Sequence, residues 1–124
     1  MKPRIKVWIV FEDQVKFGDG RADLLDRIDE LGSIKQAVAR FGMSYRNAWG
    51  YLKELEEAAG FKLLDRGPGG PRSGTRLTRR GRLFLDRYRR FRAAVDTDVA
   101  RRFMDSFSRH SRTNTDRGGI VGRS

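Results

Sequence analysis

Apolar residues in the first part of the chain recur with a period of two. They stand at every second position over residues 5–11, which predicts a β-strand. Residues 12–14 are polar and predict a turn, and residues 15–17 predict a short strand that returns beside the first. The chain therefore begins with a strand pair, and Gly18 and Gly20 interrupt the pattern before the next element.

Three amphipathic helices are predicted next, because apolar residues now recur every three or four positions. The helices cover residues 24–31, 33–41 and 44–59, and a glycine follows each of them. The second and third helices both begin at a serine, whose hydroxyl can cap the exposed amides of a helix start. In the third helix the spacing assigns Trp49 and Leu52 to the core.

The second and third helices match the helix-turn-helix pattern. About three residues around Gly42 connect them, and a glycine can take the left-handed conformation that a tight turn needs. Ala37 and Ala48 are small enough to let the two helices cross closely. Helical hairpins with small contact residues also occur in many bundles, so this pattern alone leaves DNA binding and a structural role equally open.

A glycine-rich segment follows the third helix and predicts a β-hairpin. Two short apolar stretches, residues 61–64 and 76–78, flank a stretch whose glycines and prolines suit a long hairpin tip. A hairpin directly after a helix-turn-helix is the layout of a winged helix. Seven basic residues and one acid lie between Lys62 and Arg82. Arginines on such a loop can approach phosphates or enter a minor groove.

A fourth and longer helix is predicted over residues 79 to about 105. It carries a stripe of large apolar residues at helical spacing, namely Phe84, Tyr88, Phe91, Val95, Val99 and Phe103. One interpretation is that the stripe packs against the first helix. We favour a dimer interface, because the stripe is larger than one edge of so small a domain should cover. Residues 106–124 are polar and basic and predict a disordered tail.

The predicted fold class is therefore mainly α with small β. It is a winged helix-turn-helix with an N-terminal strand pair, a β-hairpin wing and a long C-terminal helix. Residues 1–105 would form a single DNA-binding domain, with the dimerisation helix at about 79–105.

Composition and net charge restrict the classes of function that the sequence can support. The chain has 27 Lys and Arg against 16 Asp and Glu, a formal net charge of +11, and a small domain this basic usually meets a polyanion. Cysteine is absent and histidine occurs once, at His110, which leaves no thiolate chemistry and no His and Cys metal site. We expect no catalytic residues, no cofactor, no bound metal and no enzymatic activity.

The cellular location follows from two further absences. No apolar run reaches the roughly 18 residues of a transmembrane helix. The lack of cysteine fits a reducing compartment. We expect a cytoplasmic protein without a membrane partner.

Several groups of residues resemble the N-terminal domain of the ModE family of molybdate-responsive regulators. The matching groups are Gly32-Ser33-Ile34, Gly42-Met43-Ser44-Tyr45-Arg46, Ala48-Trp49, Leu55-Glu56, Leu77-Thr78-x-x-Gly81 and Phe17-Gly18-Asp19-Gly20-Arg21. The broader pattern is shared with LysR-type regulators, and the resemblance covers roughly residues 4 to 92. The family's C-terminal molybdate-binding domains have no matching residues here, so the resemblance only leaves molybdate or another oxyanion open as an effector.

The resemblance implies that the third helix, over 44–59, is the recognition helix. Its first half is polar and basic and its second half is acidic, which suits a helix that enters a major groove at its N-terminal end. Arg46 can pair with guanine and Asn47 with adenine, through two hydrogen bonds each. With a basic wing at 62–78, the candidate DNA-binding residues are Ser33, Ser44, Tyr45, Arg46, Asn47, Gly50, Lys53, Arg66, Arg72, Ser73, Thr75, Arg76, Thr78, Arg79 and Arg80.

Some of these residues have a second interpretation. Tyr45 either contacts a phosphate or packs its ring. Gly50 either lets the backbone approach DNA or serves helix crossing. Ser33 and Thr78 either only cap helices or also present backbone amides to phosphates.

The sequence predicts a DNA-binding transcription regulator of the ModE type that binds a palindromic operator as a homodimer. The alternative is an architectural DNA-binding protein with little sequence preference. The high charge and the basic tail favour the alternative. The base-reading residue types at the start of the recognition helix oppose it.

Overall fold

Two strand pairs and four helices form the part of the chain that the structure describes. The structure is a computed structural model, and it describes residues 1–65 and 74–108. In chain order the elements are β1 (Ile9–Phe11), β2 (Val15–Phe17), α1 (Asp19–Leu31), α2 (Ile34–Val38), α3 (Tyr45–Ala59), β3 (Leu64–Asp65), β4 (Arg76–Leu77) and α4 (Arg79–Phe107). The predicted winged helix-turn-helix class is confirmed.

The N-terminal hairpin is shorter than the alternation predicted. β1 and β2 pair antiparallel, with Ile9 opposite Phe17, and the predicted strand start at Ile5 is wrong. The physical reason is the lack of a partner, because β2 is followed at once by α1, which begins at Asp19. Residues 5–8 therefore have no neighbouring strand in the hairpin to bond with.

The helix-turn-helix forms with a shorter second helix than predicted. α2 ends at Val38, because the backbone then tightens: the Arg40 amide donates to the Ala37 carbonyl at 3.1 Å and the Phe41 amide to that of Val38 at 3.0 Å. The glycine of the turn takes the predicted left-handed conformation, with φ of 62° at Gly42. The turn thus begins earlier than the apolar spacing indicated.

The core lies between the first three helices and the start of α4. Its fully buried side chains include Phe17 from β2 and Tyr88 from α4, whose rings meet edge to face with centroids 5.1 Å apart. Ala37 and Ala48 are both completely buried, as their small size predicted. Leu52 is also buried, as predicted.

The predicted core position of Trp49 is wrong, because its side chain is 40% exposed. The buried positions of α3 are Ala48, Leu52 and Leu55. Trp49 follows Ala48 directly, so it is turned by about 100° around the helix axis and lies at the edge of that buried stripe.

The chain divides into two compact units. One is Lys6–Arg89, which contains both strand pairs and the helix-turn-helix. The other joins Met1–Ile5 to the chain from Arg90 onward, and within it the Arg92 guanidinium donates to the Ile5 carbonyl at 2.7 Å. Over residues 1–65 and 74–108, no helix is long and apolar enough to cross a membrane.

Candidate nucleic-acid interface

The N-terminal end of α3 presents exposed polar side chains. The Ser44 hydroxyl accepts a hydrogen bond from the Asn47 amide at 3.0 Å and so caps the helix, as predicted. The cap fixes the first turn, in which the side chains of Tyr45, Arg46 and Asn47 are all exposed. Within residues 1–65 and 74–108, Arg46 forms no ion pair, so its guanidinium is available to an acceptor from outside.

One face of α3 continues this surface toward the second half of the helix. Trp49, Gly50 and Lys53 lie three, four and seven residues after Arg46, which places all four on the same side of the helix. A Cβ added at Gly50 would meet no atom within 4 Å. Helix crossing therefore does not require this glycine, and the backbone is open to a molecule that approaches the helix.

The orientation of α3 is fixed by Tyr51 on the opposite side. Its hydroxyl donates to the Lys16 carbonyl at 2.8 Å, and the Arg21 guanidinium lies 4.2 Å from the centre of its ring. Burial raises the pKa of Tyr51 to about 12, although the charge and the hydrogen bond of Arg21 act to lower it. The phenol therefore stays neutral at pH 7 and holds α3 against β2 and α1.

The base of the wing is formed by β3 and β4. Their register pairs Leu64 with Leu77 and Asp65 with Arg76. The guanidinium of Arg76 donates to the Asp29 carbonyl at 3.0 Å, and the residue is exposed. The remaining predicted wing contacts, Arg66, Arg72 and Ser73, lie outside the described residues.

Two carboxylates from different helices hold the two strands of the wing base. Glu56 on α3 accepts hydrogen bonds from the Leu63 and Leu64 amides at 2.7 and 3.0 Å. Asp29 on α1 accepts one from the Leu77 amide at 2.9 Å. Sequence reasoning assigned a role to neither acid, although Glu56 belongs to the Leu-Glu pair of the resemblance. The wing base is therefore fixed directly to α3 and α1.

The start of α4 is joined to the wing base by Thr78. Its hydroxyl donates to the Lys62 carbonyl at 2.6 Å and accepts from the Gly81 amide at 2.9 Å, which confirms the predicted cap. Both polar functions of the hydroxyl are thus in use. A Cβ on Gly81 would lie 2.4 Å from the Leu63 carbonyl oxygen, so backbone packs on backbone here.

The other predicted contacts differ in accessibility. Arg79 and Arg80 are exposed at the start of α4, and the Arg80 guanidinium lies 4.8 Å from the centre of the Phe61 ring. The Ser33 hydroxyl accepts from the Gln36 amide at 3.1 Å and caps α2. Thr75 is only 8% exposed, so its side chain offers almost no surface to a partner.

Positive charge is neutralised where α4 faces α1. Arg82 binds Asp29 at 2.8 Å, and Arg89 binds Asp23 at 3.0 Å and Asp26 at 2.7 Å. Burial acts to lower the pKa of Arg82, but its hydrogen bonds to Asp29 and Asp26 and the charges of both acids raise it overall.

Among the described residues, three basic residues of the helix-turn-helix, the wing base and the start of α4 are not neutralised by ion pairs. In the part of the chain that the structure describes, Arg46, Lys62 and Arg79 have no acidic partner. A positive charge that no ion pair neutralises can bind a phosphate. Within the described part of the Lys6–Arg89 unit, ion pairs therefore neutralise the arginines between α4 and α1, whereas these basic residues of the helix-turn-helix, the wing base and the start of α4 are not neutralised.

Comparison with known proteins identifies bacterial transcription regulators as relatives of this chain. The chain is 36% identical over 69 residues to a protein named "Transcriptional regulator ModE" from Haemophilus influenzae, which covers 55% of this chain and 27% of that protein. It is 29% identical over 89 residues to the "DNA-binding transcriptional dual regulator ModE" of Escherichia coli, covering 71% of this chain and 34% of that protein. These matches confirm the resemblance to ModE regulators.

The matched region spans about a third or less of the length of these relatives. Residues 21–82 match the family described as "Bacterial regulatory helix-turn-helix protein, lysR family". This range runs from the first turn of α1 to the first turn of α4 and contains both α3 and the wing base. The chain belongs to the LysR family of bacterial regulatory helix-turn-helix proteins.

Proposed function

We propose that this chain is a sequence-specific DNA-binding transcription regulator that inserts α3 into the major groove. The observation that carries the proposal is the capped, exposed and uncompensated start of α3. Arg46 would read guanine and Asn47 adenine, through two hydrogen bonds each. The acids of α3 are Glu54, Glu56 and Glu57, and all three lie in its second half. That half would lie away from the phosphates if the helix entered the groove by its N-terminal end.

Phosphate contacts come from the residues around this helix. Arg76, Arg79 and Arg80 on the wing base and the start of α4 supply the charge, with Ser33, Ser44, Tyr45 and Lys53 nearer α3. Thr78 acts by holding the start of α4, because its hydroxyl already makes two hydrogen bonds. Thr75 leaves the set because it is buried. Arg66, Arg72 and Ser73 stay sequence-based predictions for the wing tip.

We further propose a homodimer on a palindromic operator. The apolar stripe of α4 divides: Tyr88 is buried in the core, which fits packing within the monomer, whereas Phe91 is 46% exposed. The later members of the stripe are half-buried, namely Val95, Val99 and Phe103. Large exposed apolar residues on one helix favour a second copy as the partner. In this proposal residues 1–105 act as one cytoplasmic DNA-binding domain with dimerisation through about 79–105, and 106–124 form a basic tail.

The deciding experiment is selection of binding sequences from a random duplex pool at roughly 0.15 M salt, with and without molybdate. We expect a two-fold symmetric motif with half-sites about one helical turn apart. Binding without an enriched motif would instead support an architectural role. A motif whose enrichment changes with molybdate would identify the oxyanion as an effector.

Replacement of Arg46 by alanine should relax specificity at one base pair of the selected site. The lost pair of hydrogen bonds corresponds to about 1–3 kcal/mol of discrimination. Kd values for the site and for its single-base variants measure the effect. Arg79→Ala is the matched control: it should weaken all duplexes alike and lower the slope of log K against log salt by about one unit. Equal weakening of all duplexes by Arg46→Ala would contradict base reading.

Replacement of Phe91 by aspartate should convert the protein from dimer to monomer. A charge within an apolar contact between two helices would have to be buried without a partner. Sedimentation equilibrium at micromolar concentration measures the mass. Arg90→Asp, an exposed change on the same helix that is turned by about 100° from Phe91 and away from the stripe, is the control and should leave the dimer intact. Wild-type protein that sediments as a monomer would rule out dimerisation through α4.

A further inference from the structure

Trp49 is an exposed aromatic residue in the middle of the proposed DNA-reading face. Arg46 lies three residues before it and Lys53 four residues after it, so the indole is flanked by two basic side chains. The Lys53 ammonium lies 5.1 Å from the centre of the ring. Leu52 and Leu55 are the buried leucines of α3, and the 40% of the indole that is exposed is available to a partner.

The indole also lines a groove between α3 and the wing base. The groove has a volume of about 1000 Å³, and its apolar lining includes Leu52, Phe61 and Leu64. Its charged lining residues are Lys53, Lys62, Glu56, Glu57 and Asp65. The acids outnumber the lysines, so the groove as a whole does not favour a nucleic acid strand. A DNA contact at this face therefore uses Trp49 and Lys53 on α3 and not the whole groove.

The apolar ring surface of an indole matches one apolar group on the major-groove edge of the bases, whereas its Nε1–H can donate to base acceptors. Guanine, cytosine and adenine present hydrogen-bond donors and acceptors there, whereas thymine adds the apolar C5 methyl group. The open backbone at Gly50, next to Trp49 in sequence, removes a side chain that would hold the helix away from the bases. The indole can therefore reach the same groove that Arg46 and Asn47 are placed to read.

We infer that Trp49 is a specificity-determining residue, which binds a thymine methyl group through its exposed indole. This inference rests on the proposed insertion of α3 into the major groove. In this arrangement Lys53 stays over the ring and neutralises the adjacent phosphate, while Arg46 and Asn47 read polar edges. The recognition helix then reads bases by apolar contact as well as by hydrogen bonds.

The test replaces each thymine of the selected half-site with uracil, one position at a time. Uracil differs from thymine only by the missing methyl group, so hydrogen bonding is unchanged. Fluorescence anisotropy gives Kd for wild-type protein on each duplex. We expect one position at which Kd rises about fourfold, which corresponds to the ~0.8 kcal/mol of burying one methyl-sized group. This measurement needs no variant protein.

Protein variants then test whether Trp49 causes the difference in Kd between the thymine and uracil duplexes. Trp49→Ala should bind the thymine and uracil duplexes with equal affinity, whereas Trp49→Phe should keep part of the difference. Trp8→Ala is the matched control, because Trp8 is also exposed and also has a lysine ammonium over its ring, Lys16 at 4.6 Å, but lies outside α3. It should keep the fourfold ratio.

Three results overturn the inference, and they are distinguishable. A selected site at which no thymine-to-uracil change affects Kd, or at which Trp49→Ala keeps the ratio, overturns the Trp49 contact and leaves the proposed function intact. Failure to enrich any motif overturns the proposed base reading and the Trp49 contact together.

Discussion

Replacement of Gly81 by alanine should destabilise the protein by about 3 kcal/mol or more, at or above the upper end of typical overpacking. The new methyl group would lie 2.4 Å from the Leu63 carbonyl oxygen and 3.1 Å from that residue's carbonyl carbon and Cα. These are backbone atoms, so no rotamer change can relieve the clash. α4 would have to move away from the wing base. We expect the thermal midpoint to fall by about 10 °C or more, measured by circular dichroism.

Gly50→Ala is the matched control, because it makes the same change inside another helix. No atom lies within 4 Å of the added Cβ, so only the helix propensity changes. Alanine should therefore raise stability by roughly 0.5–1 kcal/mol. We therefore expect the free energy of unfolding to fall with Gly81→Ala and to rise with Gly50→Ala. A small effect at Gly81 would mean that α4 can shift against the wing base without cost.

Replacement of Glu56 by alanine should weaken both stability and DNA binding. The Leu63 and Leu64 amides would lose their acceptor, at about 1–3 kcal/mol for each group left unsatisfied, with the half-buried Leu64 at the low end. Since the wing base would no longer be fixed to α3, Kd should rise for every duplex. The slope of log K against log salt should not change, because no cation is removed.

Glu57→Ala separates anchoring from charge. It removes the same charge from the adjacent position, and Glu57 is exposed and makes no hydrogen bond to the described residues 1–65 and 74–108. Stability should change by no more than about 0.5 kcal/mol, as is usual at such surface positions. If both variants alter Kd equally, the effect of Glu56 is electrostatic and the anchoring role is wrong.

Much of the architecture could be predicted, because periodicity and glycine spacing report local preference. The strand pair, the capped start of α3 at Ser44 and the turn at Gly42 all follow from neighbouring residues. The errors occur where a distant partner decides. Apolar alternation cannot show that β2 offers no partner to residues 5–8. The spacing that placed Trp49 in the core also could not show which side of α3 its neighbours would cover, and the buried positions are Ala48, Leu52 and Leu55.

In the candidate site, too, local features could be predicted from the sequence and long-range contacts could not. Exposure of Arg46 and Asn47 follows from the polarity of the first turn of α3. The anchoring roles of Glu56 and Asp29 could not be predicted, because their partners lie 7 to 48 residues away. The position of Trp49 between Arg46 and Lys53 was a signal that a helical projection could have used, since neighbours on a helix face share exposure.

The two carboxylate anchors have a consequence for how this domain can diversify. Glu56 and Asp29 hold the wing at its base, on the backbone of Leu63, Leu64 and Leu77, and none of these three hydrogen bonds involves residues 66–73. Loop length costs little free energy once the ends are fixed. The connection between β3 and β4 can therefore change in length and sequence while its anchored ends stay the same, so loop exchange at this point is a route to redesign that leaves the scaffold intact.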